Sequence, residues 1–193
     1  MILGLFKKRK PEEKAKEINI FAATSAFKIF RDKKFRGLLN FDQQSQTEQD
    51  RFFNELVVSV LILSIYIVRD YSIGRDDDQE DYWHEVKANL KDQFIAYLDK
   101  IGIPRKFVDV WSKLIDLRKT EYDRDKIEMR SEMMGSKEFQ NQIGNIRLIR
   151  TQVIAIGCLC HLRRGKEKPK DPLYLFLLRW IMNLNKKIEW ICR

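Results

Sequence analysis

The sequence predicts an all-α fold, a single-domain helical bundle of about six helices. The first observation is periodicity: through most of the 193-residue chain, apolar residues recur every three or four positions, the spacing of a helix with one buried face. The second is the placement of glycine and proline: glycines, which often end helices, and prolines, which often begin them, lie between the periodic stretches. These positions are Gly37, Gly74, Gly102, Gly135, Gly165, Pro11, Pro104 and Pro172.

The first helix is predicted to run from Pro11 to about Arg36. Acidic residues lie in its first turns and basic residues in its last, as the helix dipole favours. A polar loop follows over residues 40–47. Ser45 and Glu48 then have the spacing of a capping box, in which each side chain bonds the backbone N–H of the other. We therefore expect the second helix to begin there.

The second helix is apolar on all sides from Leu56 to Val68, which predicts a central helix near residues 46–70. A membrane span would need about 20 apolar residues, and this run has 13. A buried strand is the other alternative, but strands usually have about 4–8 residues. Glu55 borders the run and is the one carboxylate whose burial we expect. Inside a bundle, such a group is more often paired with an Arg or Lys than catalytic.

Four further helices complete the predicted bundle. The third spans about residues 78–101, and the fourth follows the next proline. The mixed-charge stretch 118–132 is either a solvated extension of the fourth helix or a mobile connector, and we favour the helix. The fifth begins at Ser136 and contains Gly144 and Gly157, which permit close approach of a neighbouring helix. The last helix follows a basic linker.

The net charge of +9 is concentrated at the two ends of the chain. We divide the chain into a basic N-terminal tail, residues 1–10, and one helical domain, residues 11–193. The tail has four basic residues and no acid, and residues 161–193 have nine basic residues against three acids. The 150 residues between them have 24 basic and 25 acidic side chains. Basic ends favour a polyanionic partner, although they can also serve solubility alone.

We therefore predict a non-catalytic binding or assembly protein that contacts nucleic acid through its basic ends. The residues expected to contact phosphates are Lys7, Lys8, Arg9, Lys10, Arg163, Arg164, Lys166, Lys168 and Lys170. The first alternative is a peripheral membrane protein, in which Ile2, Leu3, Leu5 and Phe6 enter an anionic membrane surface ahead of the basic cluster. A protein partner or a homo-oligomer is compatible with either function, and no small-molecule substrate is evident.

An enzyme with a carboxylate–metal site is the second alternative. Asp77, Asp78 and Asp81 have a spacing that can hold magnesium against a diphosphate. The chain has no second acidic motif to complete such a site. Acids at the beginning of a helix are also stabilised by the helix dipole without any ligand.

The three cysteines indicate reduced thiols and a cytoplasmic location. Cys158, Cys160 and Cys192 are odd in number and lack the spacing of a disulfide framework. Together with His161 they could supply four zinc ligands. On a helix, however, Cys160 points about 200° away from Cys158, so the four groups cannot converge. The sequence therefore predicts no metal and no cofactor.

Overall fold

The described part of the chain, residues 9–136, 145–168 and 170–193 of a computed structural model, is helical throughout and includes no strand. Its elements are α1 (Pro11–Phe30), α2 (Lys33–Leu38), α3 (Gln46–Ser72), α4 (Asp77–Lys100), α5 (Arg105–Gly135), α6 (Ile146–Arg163) and α7 (Pro172–Ile191), with a short 3-10 helix at Phe41–Gln43. The predicted all-α fold is confirmed.

Helix α3 lies at the centre of the bundle. It contacts α1, α4, α5, α6 and α7, and every side chain from Glu55 to Val68 is buried. Among the described helices, α3 alone is long and apolar enough to span a membrane, but 83% of its apolar window is buried inside the protein. The predicted central helix near residues 46–70 is therefore confirmed, and the strand alternative is wrong.

The polar groups of α3 find partners inside the bundle. Glu55, only 3% exposed, accepts two hydrogen bonds from the Arg118 guanidinium, 3.0 Å from Nε and 2.7 Å from Nη2. Ser59 Oγ lies 3.1 Å from the hydroxyl of Tyr122. The expected pairing of Glu55 with a basic residue is confirmed, and both contacts join α3 to α5.

The mixed-charge stretch 118–132 belongs to α5, which is helical without interruption to Gly135, as favoured from the sequence.

The packing of α5 on α6 depends on the aromatic ring of Tyr122. Tyr122 is fully buried, and a Cβ added at Gly157 would overlap its Cε1 and lie 2.7 Å from its Cδ1. Gly157 is therefore a close-approach position, as its place inside a predicted helix indicated.

The described residues contain seven α-helices rather than about six, because the predicted first helix is interrupted. Asp32 accepts a hydrogen bond from the Phe35 N–H at 3.0 Å and so caps a separate α2. The fifth helix is predicted to begin at Ser136, but in the structure Ser136 follows the last residue of α5, and α6 begins at Ile146 after the capping residue Asn145. Residues 137–144, which include Gly144, lie outside the described residues.

Replacing Gly157 with alanine tests the contact with Tyr122. We expect Gly157→Ala to lower the free energy of unfolding by about 1–3 kcal/mol, because a fully buried ring would have to move. Gly37→Ala is the matched control, since Gly37 is also helical but has no atom within 4 Å of an added Cβ; it should be neutral or stabilising by up to about 1 kcal/mol. Urea unfolding measures both variants. Equal stabilities for the two would contradict the packing of α5 on α6.

Candidate nucleic-acid interface

The joint between α6 and α7 is fixed by a helix cap at each end. Arg164 and Gly165 both have left-handed backbone conformations, and the Gly165 N–H donates to the carbonyl of Cys160 at 2.9 Å. This arrangement ends α6 in the way glycine commonly does. At the other side, Asp171 accepts from the Leu173 N–H at 2.9 Å and caps α7. The joint is therefore held against one end of the bundle.

Two of the predicted phosphate ligands in the joint region already have acidic partners. Arg163 donates to both oxygens of Asp171, at 2.8 Å and 3.0 Å, and this bidentate contact lowers the pKa of the Asp171 carboxyl. Arg164 pairs with Glu48 of α3. Hydrogen bonds from Arg51 and then from Arg164 lower the pKa of Glu48. Both arginines thus connect α6 to neighbouring elements.

The remaining predicted residues of the joint are exposed. Lys166, Lys168 and Lys170 form no salt bridge in the part of the chain that the structure describes, although the charge of Lys168 helps to lower the pKa of Asp171. Glu167 lies among them, and its carboxylate accepts from the Cys160 thiol at 3.2 Å. Since three ammonium groups project from one short segment, they can each meet a separate phosphate.

Four more exposed cations lie at the same end of the bundle, on α1, α2 and the turn between them. Helix α2 reaches this end because Phe35 packs against Phe176 of α7, with ring centroids 6.1 Å apart. The beginning of α3 reaches it because Arg51 donates to the Leu162 carbonyl at 3.1 Å. We call the four cations and the three joint lysines together the basic end. Within the described residues they form no salt bridge, and they are Lys28, Arg31, Lys33, Lys34, Lys166, Lys168 and Lys170.

Arg9 and Lys10, the two described cations of the predicted N-terminal tail, lie at the opposite end of the bundle. Lys14 Nζ donates to the carbonyl of Ile191 at 2.8 Å, so α1 begins beside the end of α7. Helix α7 has 20 residues and spans about 30 Å. Arg9 pairs with Glu17 at 2.8 Å, and Lys10 is exposed. The other two predicted residues, Lys7 and Lys8, lie outside the described residues, as do the apolar residues 2–6.

The outer face of α7 is both apolar and basic, and sequence reasoning missed it. Trp190 is 74% exposed, and its position about 200° around the helix from the buried Ile188 could have indicated this. Leu175 and Met182 are also exposed on α7, as are Arg179, Lys186 and Lys187. The one acid of α7, Glu189, pairs with Arg147 and Arg150 of α6.

Cys158 and Cys192 are buried, Cys160 and His161 are half-buried, and the raised pKa values of the three thiols favour their protonated form near neutral pH. Burial raises the pKa of Cys158 and of Cys192 to about 12. Burial and then a hydrogen bond to Glu167 raise the pKa of Cys160 to about 12. Among the described residues, no group of three or more His, Cys, Asp or Glu side chains is placed to hold a metal ion.

The acidic cluster at the beginning of α4 has a structural use. Asp76 accepts from the Gln79 N–H at 2.9 Å and caps the helix. Asp77 and Asp78 lie exposed in the first turn, where the helix dipole stabilises acids. Glu80 lies 3.6 Å from His84 Nε2. This arrangement needs no ligand to explain it.

Comparison of the chain with protein-family models, with curated proteins and with solved structures gave no match.

The buried His161 predicts a decline in stability as the pH falls below about 6.5. Its Nε2 lies 3.2 Å from Glu121 Oε2, but burial, reinforced by the Arg118 charge, outweighs Glu55 and Glu121 and lowers the pKa of His161. The unfolded chain therefore binds this proton more tightly than the folded protein does. As a result, the free energy of unfolding decreases as the pH falls from the unfolded-state pKa to the lower folded-state pKa.

Unfolding free energies measured across this pH range check the prediction. His161→Gln should flatten the pH dependence below about pH 6.5. His84→Gln, at the exposed histidine of α4, should keep the slope of the original protein. Protonation of carboxyls whose pKa is lowered, such as Asp171 and Glu48, should reduce the free energy of unfolding only at more acidic pH. An unchanged slope in His161→Gln would contradict the assignment.

Proposed function

We propose that this protein is a non-catalytic helical module that binds nucleic acid through the basic end. The observation that carries the proposal is the set of seven exposed cations of the basic end, which form no salt bridge among the described residues. They come from three parts of the chain, the end of α1, α2 and the joint, which packing brings together. Neutralisation of phosphates by such groups releases counterions and supplies sequence-independent affinity.

The chemistry of the basic end favours the backbone over the bases as its target. Six of its seven cations are lysines, which act as point charges and do not have the bidentate geometry with which arginine reads guanine. Its aromatic neighbour Phe35 is buried in the core, whereas Phe27 is 49% exposed and already lies against Arg31, whose Cζ is 5.6 Å from the ring centroid. Binding through phosphates alone positions a protein on nucleic acid without reading sequence. A general affinity for duplex or single strands follows.

A second candidate function is attachment to an anionic membrane surface, and the outer face of α7 favours it. An exposed tryptophan interleaved with lysines is typical of helices that lie in the lipid interface. The end of α7 also lies beside the beginning of α1, where the described basic residues Arg9 and Lys10 precede the helix. Binding there would use Trp190, Lys186 and Lys187 instead of the basic end.

The salt dependence of binding tests the proposal. Replacing Lys166, Lys168 and Lys170 together with glutamine should flatten the plot of log affinity against log salt by up to about three units, since each phosphate contact contributes about 0.9. Folding should change little, because exposed unpaired lysines contribute little to stability. Fluorescence anisotropy with a labelled DNA duplex, repeated at several salt concentrations, measures the slope.

The matched control replaces three other exposed lysines, Lys100, Lys106 and Lys113, which lie near the beginning of α5 and have no acidic partner in the described residues. This variant should keep the original slope. Equal slopes for both triple variants would contradict the basic end as the binding surface. Absence of DNA binding at low salt, together with binding to phosphatidylserine vesicles that Trp190→Ala weakens, would favour the membrane function.

A further inference from the structure

A concave pocket of about 270 Å³ lies where the end of α3, the second half of α5 and the beginning of α6 meet. Three cations line it, Arg69, Lys126 and Arg130, and three isoleucines complete its wall, Ile73, Ile146 and Ile149. None of the three cations belongs to the basic end. The pocket lies within the part of the chain whose sequence charge sums to nearly zero, so its positive character comes from folding.

The three cations converge on a small region. Lys126 and Arg130 are four residues apart on α5, which puts them on one face of that helix. Arg69 of α3 and Lys126 both lie over the ring of Tyr66, with Cζ 5.0 Å and Nζ 5.1 Å from the ring centroid. Burial first, and then repulsion from Arg69 and Arg130, lower the pKa of Lys126, although the carboxylates of Asp70 and Asp123 act in the opposite direction. These two carboxylates therefore do not offset burial and repulsion at this lysine.

The two acids near the pocket, Asp70 and Asp123, already accept hydrogen bonds from basic side chains. Asp70, which lines the pocket, accepts from Arg69 at 2.7 Å and from Arg150 at 2.8 Å. Arg150 is only 4% exposed and holds Asp70 from the protein side. Asp123 accepts from the Tyr66 hydroxyl at 2.8 Å and from Lys119 at 2.6 Å.

Lys126 and Arg130 form no salt bridge within the described residues, and Asp70 and Asp123 act on Lys126 only through their charge. Paired cations left without an acid in a concavity have a strong preference for an anion, since each gains a charge-assisted hydrogen bond. The pocket also adjoins the first turn of α6, where the helix dipole is positive. These contributions add, and they come from three separate helices.

We infer that this pocket binds a phosphate group, as inorganic phosphate or as the phosphomonoester of a small molecule. A dianion matches two unpartnered cations, and the fork of Arg130 suits the geometry of phosphate oxygens. The volume admits a phosphate with a small substituent, and the isoleucine wall offers that substituent an apolar surface. This site shares no residue with the basic end, so an experiment can disprove one proposal without affecting the other.

Thermal unfolding in inorganic phosphate tests the inference. At constant ionic strength, exchange of chloride for phosphate should raise the Tm of the protein in a saturable way, because a ligand of the folded state stabilises it. Lys126→Gln and Arg130→Gln should each weaken the phosphate Kd about tenfold or more, as expected for loss of a charge-assisted hydrogen bond. Lys113→Gln, on the exposed side of the same helix, should keep the original Kd.

Isothermal titration calorimetry with phosphate, and then with a phosphorylated sugar, separates the two sources of the group. Tighter binding of the sugar phosphate would assign the pocket to a small phosphomonoester; equal binding would assign it to phosphate itself. NMR titration of Lys126 gives an independent readout, since a bound dianion should raise the pKa of this residue. The inference is overturned if phosphate and chloride give the same Tm, if all three variants bind phosphate equally, or if only a DNA duplex binds there.

Discussion

Complete burial of α3 is the constraint on which the rest of the structure depends. A helix that is apolar on every side must be covered on every side, and five helices contact α3 to achieve this. Its few polar groups then dictate how the covering helices sit. The Glu55 carboxylate needs a cation because an unpaired buried charge costs several kcal/mol, and Arg118 meets it from α5. Ser59 meets the Tyr122 hydroxyl, and Tyr122 requires glycine at 157 in α6.

This architecture separates folding from binding. The covering helices turn their apolar faces towards α3, and the groups proposed to bind lie on the outside of the bundle. They form three surfaces: the basic end, the outer face of α7 and the pocket beside Arg69. Each is positioned by elements that pack around the same core. The proposed binding functions therefore need no rearrangement of the bundle.

The sequence was sufficient to predict the helices and the central position of α3, because hydrophobic periodicity and glycine and proline placement are local properties. It was insufficient to predict the site, because whether a charged side chain is paired depends on which residues lie next to it in the folded structure. Arg163 and Arg164 resemble free phosphate ligands in the sequence, yet Asp171 and Glu48 hold them. Lys126 lies in a stretch of balanced charge, yet in space it shares a pocket with Arg69 and Arg130. The break at Asp32 was missed because a short capping side chain interrupts an otherwise helical pattern.

Hydrogen exchange of the α3 amides tests most directly whether this helix is the element on which the fold depends. If α3 is covered on all sides, its central amides, Val58 to Val68, can exchange only when the whole protein unfolds. Their exchange free energy should then equal the unfolding free energy from urea titration and exceed that of α7 amides such as those of Arg179 and Met182. Exchange of the α3 amides through a smaller opening, with α7 better protected, would contradict the account.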